Sequence, residues 1–328
     1  MTARFRIAPL ALAALLAALA PARAEAVSYA LATAAAGGTQ NLVGVALATL
    51  VKVTLQPGSG IEMAALATQG AAENVGLLRE GAAQFAILQG IDAAGAASGP
   101  PDDLRAVAAL WPDVAHVLIA SDRSSAGTLS DLAGLEGEAV AIGASGSDAN
   151  AAAAEILRGV GLDAASFAAT EDDGEGAAAA LLEGRVEGAV LSAGLPSPAV
   201  ADLLAASGGS VRLLGVTPEE RARIDAGRGA WAALVIPGGT YPGQAAAVTA
   251  LALPNLLAAR ADVPEEDVYL VTKAIFENLP FLQAIHPAAL GISLDRALDG
   301  VSMPLHPGAI RYFEEAGLRV PPRLRPAE

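Results

Sequence analysis

Two rhythms of hydrophobic and polar positions alternate along this chain. Short apolar runs, several with alternating character, occur at 27–33, 61–67, 84–89, 106–110, 116–120, 139–143, 188–192, 211–214 and 232–236. Between them lie stretches with apolar residues at helical spacing. One starts at Thr39 and carries Leu42, Ala46 and Leu50 beside Val43 and Leu47; others cover 72–80, 149–159, 176–183, 199–205, 218–226 and 264–277. A period near two predicts strands and a period near 3.6 predicts helices. Pro264 suits a helix start, with Glu265, Glu266 and Asp267 in its positive first turn. Repeated strand–helix alternation predicts an α/β protein with mostly parallel sheets.

No Pro-, Gly- and Ser-rich linker divides the chain into two units in series. Two lobes sharing strands fit better, with the chain crossing between them near 111–117 and again near 231–240. Both places carry a Trp followed by a Pro within several residues, which suits a hinge. The expected division is a leader at 1–24, a first lobe from 25–115 and 236–328, and a second lobe at 116–235.

The leader is legible in its own right. Arg4 and Arg6 precede an apolar run at 7–20, and Pro21-Ala22-Arg23-Ala24 ends in a small-x-small pattern. Such a segment is an export signal cleaved near Ala24. The run is shorter than the ~20 residues a membrane-spanning helix needs. Cleavage leaves a periplasmic chain and, by removing three basic residues, takes the net charge from −15 to −18. That balance argues against nucleic acid and anionic membrane surfaces as partners. The chain has no cysteine, which excludes disulfides, thiolate catalysis and an N-terminal lipid anchor. Alanine dominates the apolar content and aromatics make up only 4%, so helices and sheet should pack closely through small side chains.

Catalytic patterns are missing. His116, His286 and His306 form no metal-binding spacing and read as structural. The run 143–147 begins like a nucleophile elbow but ends in Ser147, and no phosphate loop or dinucleotide fingerprint follows any strand. A calcium loop at 295–300 fails because Ala297 replaces an oxygen ligand. The chain therefore reads as a non-enzyme without cofactor or metal.

Polar turns between strands and helices remain. Gly37, Gly38 and Thr39 follow a strand and open a helix, with Thr39 as the expected N-cap. Ser145, Gly146, Ser147 and Asp148 repeat the arrangement, and Ser192, Ala193 and Gly194 follow a third strand. Gln89 ends a fourth. Helix starts present free N–H groups and the positive end of a dipole, and ligands of open α/β sheets bind beyond the strands' carboxyl ends.

These blocks resemble a known family. AAGGTQNLVG (35–44), AAENVGLLREGAAQFAILQ (71–89), LWPDVAHVLI (110–119), GASGS (143–147), LSAGLPSPAV (191–200), IPGGTYPGQ (236–244), VTKAIFENL (271–279) and LDGVSMPLHPGAIRYFEEAGL (298–318) are similar, in order, to the solute-binding proteins of TRAP transporters in the TAXI (TRAP-associated extracytoplasmic immunogenic) subgroup. The resemblance implies a type II-like two-lobed periplasmic-binding-protein fold. Each lobe would be a mixed sheet flanked by helices, with the ligand cleft between them. It implies capture of a small carboxylate or amino acid and delivery to a membrane permease driven by an ion gradient. Family pocket positions fall on Gly38, Thr39, Gln40, Asn41, Gln89, Ser145, Gly146, Ser147, Ser192, Ala193 and Gly194. Gln40-Asn41 stand where the family has an aromatic, Gly90 where a small hydroxyl residue is common, and Asp148 where Gly is typical. Asp148 beside an anion cradle disfavours a bare dicarboxylate such as 2-oxoglutarate and favours glutamate or glutamine, whose ammonium could pair with it. A ligand-sensing module docking on a signalling receptor is the alternative, and an exported hydrolase with a nonstandard site a third.

Overall fold

A computed structural model of the chain describes residues 26–34, 36–97, 103–145, 147–172 and 174–326; the expected leader and Gly146 lie outside them. The elements alternate as expected. Strand β1 (Val27–Ala32) leads to helix α1 (Thr39–Ser59), β2 (Ile61–Leu66), α2 (Ala71–Glu80), β3 (Phe85–Gln89) and α3 (Gly90–Ala97). Then come β4 (Leu104–Ala120), β5 (Ala139–Ala141), α4 (Asp148–Gly159), β6 (Ala168–Thr170), α5 (Gly174–Leu182), β7 (Gly188–Ala193) and α6 (Pro198–Ala206). The chain finishes with β8 (Val211–Leu213), α7 (Pro218–Asp225), β9 (Ala232–Ile236), β10 (Val248–Arg260), α8 (Glu265–Glu277), α9 (Leu279–Ile285) and α10 (Pro307–Glu315).

The strands form one sheet ordered β2-β1-β3-β10-β4-β7-β5-β6, with β8 paired to β4 and β9 to β10. The sheet is mixed rather than mostly parallel. β1 pairs in parallel with β2 and β3, and β5 with β6 and β7. β10 runs antiparallel to β3, β4 and β9, and β4 antiparallel to β7 and β8. The cause is the two long strands. The segments 106–110 and 116–120 belong to one continuous β4, which leaves one core and enters the next, and β10 makes the return journey.

Buried side chains mark the division. One cluster gathers residues from Tyr29 to Trp111 and from Leu256 to Leu324. Two others, drawn from Val114 to Leu253, lie on opposite faces of the sheet: Ala115, Val117 and Ile119 of β4 join one, while Val114 and Leu118 join the other. That is the period-two alternation of a strand covered on both sides. The first core therefore ends between Trp111 and Val114, and resumes between Leu253 and Leu256. The second crossing expected near 231–240 is displaced. Trp231 is buried with the second core, and β9 pairs with the near half of β10.

α1 is the one described helix long and apolar enough to cross a membrane, but it serves the first core, burying Val43, Ala46, Leu47, Leu50 and Val51. An added Cβ at Gly44 would lie 2.3 Å from Thr33 Cγ2, so this glycine is what lets α1 press onto the end of β1.

Candidate functional site

Strand direction decides where loops gather. β1 and β3 run in parallel through the first core, and the last residue of β3, Gln89, pairs with Asn255 at the middle of β10. β5 and β7 run in parallel through the second core, and the last residue of β7, Ala193, pairs with Val114 at the middle of β4. Carboxyl ends from both cores therefore converge where β4 and β10 cross between them.

The first loop is held by buried amides. Thr33 is fully buried; its hydroxyl donates to Leu66 O (2.9 Å) and accepts from Asn41 Nδ2 (3.0 Å). Asn41 Oδ1 accepts from Gly37 N–H at 3.3 Å, and Gly37 turns the chain at φ +86°, a conformation that favours glycine. Asn74 of α2, also fully buried, donates to Thr33 O (2.6 Å) and Ile87 O (2.9 Å) and accepts from Thr68 Oγ1 (2.8 Å). It staples the ends of β1 and β3 together. The N-cap of α1 is Gly38, not Thr39, and no side chain caps this helix. Gly38 and Thr39 are both exposed. The first-turn N–H groups have no acceptor within the helix, and they carry the positive end of its dipole.

The second loop satisfies itself. Ser147 is the N-cap of α4 and accepts from Asn150 N–H at 3.1 Å, while Asn150 Nδ2 donates to Gly143 O at 3.3 Å. Gly143 stands at φ +84°, and a Cβ there would meet Ala149, Asn150 and Ser147 within 3.0–3.2 Å. Ser145 is exposed, Ser147 half-buried, and Asp148 is the first helical residue. Ser192, Ala193 and Gly194 are half-buried at the end of β7. The turn that follows is tied down by Tyr241, whose hydroxyl accepts from Ser197 N–H (3.0 Å) and is hydrogen-bonded to His116 Nε2 (2.7 Å). His116 is fully buried, and burial pushes its imidazole down to about 4, so it stays neutral. The other histidines are also structural. His286 Nδ1 accepts from Ala288 N–H and His306 Nδ1 from Gly308 N–H, each opening a helical turn.

The floor between the loops is polar. Gln40 Nε2 donates to Asn255 Oδ1 (2.8 Å), and Asn255 Nδ2 donates to Asp113 Oδ2 (3.0 Å) and to Trp111 O (3.3 Å). Gln89 is 1% exposed, and its Oε1 has no hydrogen-bond partner. Of the residues expected at the site, Gly38, Thr39 and Ser145 are open to solvent, while Ser147 and Ser192 to Gly194 are partly so. Gln40, Asn41 and Gln89 are buried. Sequence reasoning passed over Asp113, Asn255, Asn74 and Thr33. The available signal for Asn255 was a single amide in the apolar run 250–259.

A groove of about 420 Å³, lined in part by Ser121, Leu204, Arg212 and Gln244, lies on the second core alone. The candidate site is placed at the crossover instead, because strand ends from both cores meet there. Among the described residues no group of His, Asp and Glu is arranged to hold a metal ion.

One sheet threading two cores, with strand ends meeting between them, is the two-lobed architecture of periplasmic binding proteins. PhnD1 from Prochlorococcus marinus MIT 9301, solved with methylphosphonate, has this fold. It is 11% identical, the match covers 81% of this chain and 91% of that one, and the TM-score is 0.54. A TctC solute-binding protein from Polaromonas (19% identity, 86% and 90% covered, TM-score 0.49) and the aliphatic sulphonate binding protein SsuA from Escherichia coli (15%, 88% and 78%, 0.45) are similar at greater distance. The chain belongs to the NMT1-like family, whose model matches residues 31–317.

Proposed function

We propose that this protein is a periplasmic solute-binding protein that captures a small carboxylate or amino acid between its lobes. It would then deliver the solute to a membrane permease of the ion-gradient-driven TRAP type, as the TAXI resemblance implies. The lobes follow the buried cores, with β4 and β10 as the connecting strands. Gly38 and Thr39 offer donors from the first lobe; Ser145, Ser147 and Ser192 to Gly194 face them from the second, and the family resemblance adds Gly146 and the neighbouring Asp148 to that side. Gln40, Asn41 and Gln89 shape the floor. The observation carrying this reading is the convergence at one crossover of strand ends from two cores, one ending in an uncapped, exposed helix start.

The ligand class is open to a direct test. Mature protein is screened by thermal shift against carboxylates, amino acids, phosphonates and sulfonates. The reading expects a raised melting temperature with a carboxylate or amino acid. The structural neighbour solved with methylphosphonate makes an oxyanion of another kind the specific competitor, and a response confined to phosphonates or sulfonates would select it. No response to any of these would contradict solute capture of this class.

A further inference from the structure

Strand β8 has an open side. It pairs with Leu118–Ala120, the end of β4 away from the crossover, and with no other described strand. Ser121 N–H donates to Ser210 O and Leu214 N–H to Val117 O, both at 2.8 Å. Hydrogen-bonded pairs recur at every second residue of an antiparallel ladder. Arg212, opposite Ile119, therefore turns its backbone groups toward β4, while Val211 and Leu213 turn theirs away. Among the described residues no backbone group bonds to that outer edge.

The groove of about 420 Å³ on the second core lies along this edge. Its volume falls within the roughly 300–1,000 Å³ of clefts that hold a ligand. Leu204 of α6 joins Val211 and Leu213 in the core on one face of the sheet. On the other face, a Cβ added to Gly127 would lie 4.0 Å from Arg212 Nη1. The facing wall is the turn into β10, braced by Gln244, whose Nε2 donates to Pro237 O (3.1 Å) and Ala246 O (2.8 Å). The groove thus has a preformed wall opposite a row of free main-chain donors and acceptors.

Its charge is equally specific. Arg212 is exposed and is the one charged residue lining the groove among the described residues. Around the second core Arg123, Arg185 and Arg228 each pair with a glutamate, whereas no described carboxylate pairs with Arg212. A free edge is a template for a further strand: main-chain bonds supply affinity, and side chains beside the edge choose the sequence.

We infer that the free edge of β8 is a docking site for an extended, acidic peptide segment of a partner protein. The segment adds as a strand against Val211 and Leu213 and sets a carboxylate on Arg212. The site is separate from the crossover and does not depend on which solute is captured there.

The test uses three acetylated, amidated pentapeptides that alternate valine with glutamate, glutamine or lysine. Each is titrated by NMR into the whole protein and into Arg212→Glu. Wild type should bind the glutamate peptide roughly 3- to 5-fold more tightly than the glutamine peptide, the effect of a partly exposed ion pair, and the lysine peptide least. Amide hydrogen exchange at Val211 and Leu213 should slow when the glutamate peptide is bound. Arg212→Glu should reverse the order, and because both peptides are compared on the same folded variant, a change in stability cannot mimic the reversal. Failure of wild type to bind any of the three, or binding that leaves exchange at Val211 and Leu213 unchanged, overturns the docking site. An order of affinities that Arg212→Glu does not alter overturns its preference for acidic segments.

Discussion

The two loops facing the crossover share a strand–turn–helix plan but dispose of their polar groups in opposite ways. At the first, the helix start is capped by Gly38 without a side chain, and Thr39 stands exposed. The amides that shape this loop, Asn41 and Asn74, are turned inward onto Thr33 and Ile87. At the second, the Ser147 hydroxyl is taken up by its own helix, and the neighbouring turn after β7 is anchored by His116 and Tyr241. The first loop is therefore scaffolded from behind and open in front. The second is self-capped, and part of its support depends on a titratable ring. A hydroxyl at a strand–helix turn is a ligand donor only when the helix does not consume it.

Acid should separate the two sides first. Burial lowers the His116 imidazole to about 4, against 6.5 in an unfolded chain. The unfolded chain takes up the proton first, so stability is full above about pH 6.5 and declines as pH falls toward 4. The contribution is about 3 kcal/mol. His306, also shifted down by burial, adds in the same direction. The amides Asn41 and Asn74 do not titrate. Melting temperatures at pH 7 and 4.5 should therefore fall less for His116→Gln than for wild type; parallel losses would remove His116 as the acid-sensitive support.

Asn74→Ala attacks the scaffold of the first loop. It strands the carbonyls of Thr33 and Ile87 without a donor, and leaving such buried groups unsatisfied costs about 1–3 kcal/mol. Urea denaturation should show that loss at every pH. A change within error would mean that water or a neighbouring donor replaces the amide.

Ser147→Ala should act mainly on stability, by about 1 kcal/mol, the usual worth of a serine N-cap. If it instead abolished solute binding at unchanged stability, the second loop would resemble the first, and the contrast drawn above would fail.

The elements that the sequence made legible were those with clean periodicity. β1 to β3, α2 and α4 to α8 stand close to the expected ranges. β10 went unread because both its faces are buried, which erases alternation, and because Pro254 argues against a central strand. Pro254 is accommodated where the register with β4 shifts, opposite Pro112. Missing β10 moved the second crossing to β9 and hid Asn255. The opening residues of α1 were found, but not which of them face outward. That choice depends on Thr33 and Asn74, long-range partners that local spacing does not reveal.

Solute capture by an uncapped helix start is tested most directly at Thr39. Titration calorimetry compares wild type and Thr39→Val, using whichever carboxylate or amino acid gives the largest thermal shift. Because Thr39 is exposed and caps nothing, the substitution should leave the melting temperature near that of wild type. The affinity should drop by roughly 10- to 150-fold, the loss of one hydrogen bond to a charged group. Unchanged affinity for that ligand would contradict the assignment of the first loop as the solute's anion site.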